Sequence, residues 1–75
     1  MLKGYIARRG KTEYLARRNP YGGREFSIYA YDAAIIEKRT DAEEVIQRIA
    51  KPGEKWELRF LDKIEQTEEI VKAWP

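Results

Sequence analysis

Apolar and polar positions alternate through most of this chain, and the period changes to that of a helix over one stretch only. Tyr5-Ile6-Ala7-Arg8-Arg9 is nearly repeated as Tyr14-Leu15-Ala16-Arg17-Arg18. The spacing predicts strands from Leu2 to Arg9 and from Thr12 to Arg18, joined by a two-residue turn with Gly10 in its first central place. Arg8 then faces Glu13, Ala7 faces Tyr14, Ile6 faces Leu15 and Tyr5 faces Ala16, so opposite charges and large-against-small pairs meet across the hairpin. Asn19-Pro20-Tyr21-Gly22-Gly23 is dense in turn formers and leads into a third strand, Arg24 to Tyr31. A short strand at Ala34 to Lys38 follows. Thr40-Asp41-Ala42-Glu43 has the form of a capping box. Ala42, Val45, Ile46, Ile49 and Ala50 then recur at helical spacing, and Pro52-Gly53 ends the run, which predicts a helix from Asp41 to Lys51. Trp56, Leu58 and Phe60 alternate with Glu57 and Arg59 as in a strand buried on one face. In the tail from Lys63 to Pro75, Ile64, Ile70, Val71 and Trp74 fit a short helix or a last strand equally well.

These elements make an α+β fold in a single small domain, residues 1–75: an antiparallel sheet of four or five strands with the helix, about 41–51, packed on one face. Alternation assigns Leu2, Ile6, Leu15, Phe26, Ile28 and Ala30 to the face that meets Val45, Ile46 and Ile49. The other face then carries Lys3, Tyr5, Arg9, Tyr14, Arg18, Tyr29 and Tyr31. Arg17 falls opposite Gly4, where the missing side chain leaves it room.

Composition narrows the chemistry. With 75 residues the chain buries only about 60% of the surface it exposes when unfolded. It has no cysteine and no histidine, which removes disulfides, thiolate metal sites and the commonest acid–base group. Ser27 is the only serine and has no histidine to activate it. Glu43 and Glu44, like Glu68 and Glu69, read as solvated carboxylates, and the acidic groups lack the spacing of a calcium loop. No enzyme, metal or cofactor is expected. The start of the chain lacks the apolar run of a secretory signal and no segment is apolar enough to span a bilayer, so the setting expected is the cytoplasm, away from membranes.

Net charge is +2, yet residues 1–25 hold seven basic groups against two acidic ones. A sheet face that interleaves Tyr with Lys and Arg can stack bases and neutralise phosphates. The same residues also suit a plain strand surface, since Tyr favours strands and cations discourage edge pairing; a tail folded back over the tyrosines would make them core instead. Tyr21, on a glycine-flanked loop beside Arg24, has the shape of an anchor for a protein partner; packing on Pro20 is its plainer use. A homodimer is compatible with either surface.

The aromatic hairpin, the glycine loop and the run Asp32-Ala33-Ala34-Ile35-Ile36-Glu37-Lys38-Arg39-Thr40-Asp41-Ala42-Glu43 together resemble small uncharacterised phage and prophage accessory proteins, over roughly residues 5 to 61. That resemblance implies a non-catalytic viral protein that binds a host or phage macromolecule by protein–protein contact, in the manner of inhibitors of host defence nucleases such as anti-CRISPR proteins. The alternative is a nucleic-acid-binding module using the Tyr/Arg sheet face. A nucleic-acid mimic would be strongly acidic, which this chain is not.

Overall fold

The computed structural model describes residues 1–74. Its elements are β1 (Lys3–Arg9), β2 (Glu13–Arg18), β3 (Arg24–Ser27), a single 3-10 turn (Ala30–Asp32), α1 (Arg39–Ile49), β4 (Trp56–Asp62) and β5 (Thr67–Trp74). The five strands form one antiparallel sheet in the order β3-β2-β1-β4-β5, with α1 on one face. The tail is therefore a strand at the sheet's edge beside β4, and it reaches Tyr14 through Glu68 but leaves Tyr29 and Tyr31 exposed; its last residue, Pro75, lies outside the described residues.

The first hairpin is shifted by one residue from the expected register. Arg9 faces Glu13 and Arg8 faces Tyr14, because the turn takes three residues, Gly10 to Thr12, with Gly10 at φ +61°. The Arg9 guanidinium closes the turn on Glu13 through two hydrogen bonds, of 2.9 and 3.3 Å. A shift of one residue reverses which side chains of β1 and β2 share a face. Leu15 accordingly joins Ala7, Trp56 and Leu58 under Ala42 and Ile46 of α1, with Tyr5, Phe26, Val45 and Ile49 around them. Ile6, expected on that face, lies on the opposite one with Tyr14, Ala33 and Leu61.

β3 ends at Ser27, four residues before the expected limit. Ser27 Oγ accepts a hydrogen bond from the Tyr29 N–H (3.1 Å) and donates one to Asp32 (3.0 Å), which folds residues 28–32 into a turn across the face away from the helix. The chain then runs between the splayed ends of β1 and β2. Ala34 N–H donates to the Leu15 carbonyl (2.9 Å), and Tyr5 and Ile36 exchange two bonds of 2.8 Å. The strand expected at Ala34 to Lys38 is thus a single bridge at Ile36. Gly4 makes this passage fit: a Cβ there would stand 2.5 Å from Ile35 Cγ2 and 2.9 Å from the Ile36 carbonyl oxygen. Arg17 does not use that space; it pairs with Glu25 at 2.7 Å.

The helix begins earlier than the capping box suggests. The Lys38 carbonyl accepts from the Ala42 N–H, Lys38 is the N-cap, and no side chain caps the end. Thr40 sits inside the first turn, where it cannot cap. Glu43 instead pairs with Arg39 (3.4 Å) and reaches Lys72 of β5 (3.6 Å). Ala50 is already extended, two residues before Pro52, and the residue preceding a proline disfavours helix.

Candidate binding site

The register of the hairpin decides which candidate residues meet. Tyr5 and Arg9 lie on the helix side of the sheet. Tyr5 packs edge-on against Phe60, with ring centroids 5.3 Å apart. Arg9 sits 3.8 Å over the Phe26 ring and is held by Glu13 and by Glu54 (3.3 Å). The Glu13 hydrogen bond, together with both carboxylate charges, raises its pKa. Lys3 is exposed at the start of β1. Tyr14 points the other way, so the single Tyr/Arg sheet face expected from alternation is divided between two faces of the molecule.

On the face away from the helix, Tyr14 forms part of a polar network. Its hydroxyl donates to Glu68 of β5 at 2.9 Å. Arg59 bonds to Glu57 at 2.6 Å and lies 2.5 Å from the same Glu68 carboxylate, although Arg59 Nε makes no hydrogen bond there. Arg8 approaches Glu57 at 3.9 Å and stands 5.9 Å over the Tyr14 ring. Burial, then the Glu68 hydrogen bond, pushes the Tyr14 hydroxyl pKa up. Arg59 is partly desolvated, which opposes its charge, but Glu57 and Glu68 outweigh that and its pKa is raised.

Beside this network lies an open groove of about 510 Å³, with Tyr14 and Leu61 among its lining, Lys63, Gln66 and Thr67 on the β4–β5 side, and Ile28, Tyr29 and Tyr31 on the side of the 3-10 turn. Ile28 is 65% exposed, Tyr29 50% and Tyr31 66%. The two tyrosine rings stack on each other, centroids 5.2 Å apart and 22° from parallel. Lys63 Nζ donates to the Tyr31 carbonyl at 3.3 Å, tying the two rims together. Tyr29 and Tyr31 were expected on a regular strand; the Ser27–Asp32 turn brings them here. Ile28, Leu61 and Glu68 belong to the groove without any sequence signal that sets them apart from ordinary strand residues.

The remaining candidates cluster at the β2–β3 turn. Arg18 and Arg24 are directly opposite each other. Between them Asn19 Oδ1 accepts from the N–H groups of Tyr21 and Gly23, both at 3.0 Å, and the Asn19 N–H donates to the Gly23 carbonyl at 2.8 Å. Gly22 takes φ +91°, a conformation that suits glycine. Tyr21 is 96% exposed, so it does not pack on Pro20.

Among the described residues no group of three acidic side chains is arranged to hold a metal ion, and no helix is long and apolar enough to cross a membrane. No family model, curated protein or solved structure matches the chain.

Proposed function

We propose that the protein is a non-catalytic binding module that acts by protein–protein contact, receiving an apolar segment of a partner in the groove between the 3-10 turn and the β4–β5 hairpin. The observation that carries this reading is the exposure of Ile28, Tyr29 and Tyr31 around one concavity. Contiguous exposed apolar side chains mark interaction surfaces, and tyrosine is enriched among the residues that dominate binding energy. The stacked rings support each other, so little side-chain freedom is lost when a partner arrives. The charged groups lining the groove are already engaged: Glu68 accepts from Tyr14 and pairs with Arg59, and Lys63 donates to the Tyr31 carbonyl. Such an arrangement favours recognition over chemistry. Carried over from the resemblance to phage accessory proteins, the partner is a host or phage macromolecule met in the cytoplasm, a defence nuclease among the candidates.

A peptide-display selection with the purified protein as bait tests the reading. Enrichment of aromatic or aliphatic segments by the native chain, lost with Tyr29→Ala/Tyr31→Ala although that variant keeps its circular dichroism spectrum, is the expected result. Equal enrichment by both proteins would remove the groove from the account.

A further inference from the structure

The β2–β3 turn carries an arrangement that the groove does not explain. Arg18 and Arg24 face each other across neighbouring strands, and among the described residues neither has a carboxylate within ion-pair distance. Like charges directly opposite in a sheet are destabilising. The nearest acid on β3, Glu25, is taken by Arg17. Elsewhere in the sheet arginines are neutralised: Arg9 by Glu13 and Glu54, Arg59 by Glu57 and Glu68. The unbalanced pair is therefore a local feature of this turn and not a general habit of the surface.

Between the two arginines the chain presents Tyr21 on a loop that Asn19 braces with hydrogen bonds to Tyr21 and Gly23. The ring is 96% exposed, and Pro20, Gly22 and Gly23 around it are exposed too. A tyrosine that anchors a protein interface works within a ring of contacts that exclude water, and a loop of this composition offers few. Stacking on a nucleobase needs only the open face of the ring. Two arginines directly opposite each other on adjacent strands offer planar, paired donors of the kind that match the oxygens of a phosphate.

We propose that the β2–β3 turn is a second binding site, for single-stranded nucleic acid: Arg18 and Arg24 hold a backbone phosphate and Tyr21 stacks on an adjacent base. No residue of this turn lines the groove, so the proposal does not rest on the groove's function.

Fluorescence anisotropy of a labelled thymidine dodecamer with the full chain, titrated over a range of salt, tests it. The expected result is saturable binding whose log–log salt slope is about −0.7, as one neutralised phosphate on a single strand gives. Arg18→Glu/Arg24→Glu abolishes it, and Tyr21→Ala weakens it about tenfold. Lys38→Glu/Lys51→Glu, which changes net charge equally at the ends of α1, leaves most of it, as does Tyr29→Ala/Tyr31→Ala. The proposal is overturned if no saturable binding occurs at low salt. It is equally overturned if the helix charge reversal costs as much as the turn reversal, or if a glutamate dodecamer competes as well as the oligonucleotide, which would make the turn a site for acidic peptides. Circular dichroism of each variant separates lost binding from lost folding.

Discussion

The Tyr14 hydroxyl donates to Glu68 at 2.9 Å, and so joins β2 to β5 across the two strands that lie between them. This contact connects the first hairpin to the last strand and fixes one side of the groove. Tyr14→Phe keeps the ring and removes the bond. A destabilisation of about 1 kcal/mol is expected for such a loss, which lowers Tm by about 4–8 °C in a domain of this size; thermal unfolding checks it.

The same contact gives an alkaline signature. Because burial and Glu68 raise the Tyr14 pKa above its ordinary value of 10.0, the folded state keeps a proton that the unfolded chain has lost. The stability this contributes is fully present below about pH 10 and falls as pH rises through the raised value. Urea unfolding in that range should show native stability declining with pH, and a shallower decline in Tyr14→Phe.

At the other end of the scale, Glu54 accepts from the Lys51 N–H at 2.7 Å and from Trp56, and pairs with Arg9. The Lys51 hydrogen bond is the largest of the influences that hold its carboxyl below the ordinary value of 4.5. A depressed carboxyl contributes stability that is present above the ordinary value and is lost as pH falls through the depressed one. Glu54→Gln should therefore flatten the acid limb of the stability profile below about pH 4.5 and leave its alkaline limb as in the native protein.

Gly4→Ala tests the passage of the chain between β1 and β2. The added methyl would meet Ile35 and the Ile36 carbonyl within 2.9 Å, and overpacking of this kind costs about 1–3 kcal/mol. Denaturant unfolding should show a lower midpoint. Amide exchange should speed up first at Tyr5 and Ile36, whose two hydrogen bonds hold the crossing together.

Much of this architecture is legible in the sequence because local signals agree there. Trp56, Leu58 and Phe60 alternate as a one-sided strand, and all three lie toward the helix; Ala42 and Ile46 recur at helical spacing, and both are buried. The hairpin register is harder to read, since Arg8–Glu13 and Arg9–Glu13 are equally good charge pairs and only the length of the turn chooses between them. That choice governs the site, because it separates Tyr14 from Tyr5. The groove depends on Ser27 and Asp32 closing a turn five residues apart, a contact that the regular alternation of Phe26, Ile28 and Ala30 conceals. The tail is ambiguous by propensity and is settled by pairing with β4, started by Asp62, whose carboxylate accepts from the Ile64 and Glu65 N–H groups.

The claim that the Tyr29–Tyr31 groove is the protein-binding surface is tested most directly by nuclear magnetic resonance of the isotopically labelled chain titrated with a peptide selected by display. Shifts concentrated at residues 28–31 and at Leu61, Lys63, Gln66 and Glu68, with Arg18 to Arg24 unmoved, are the predicted result. Shifts confined to the β2–β3 turn or to α1, with the tyrosine pair silent, would contradict it.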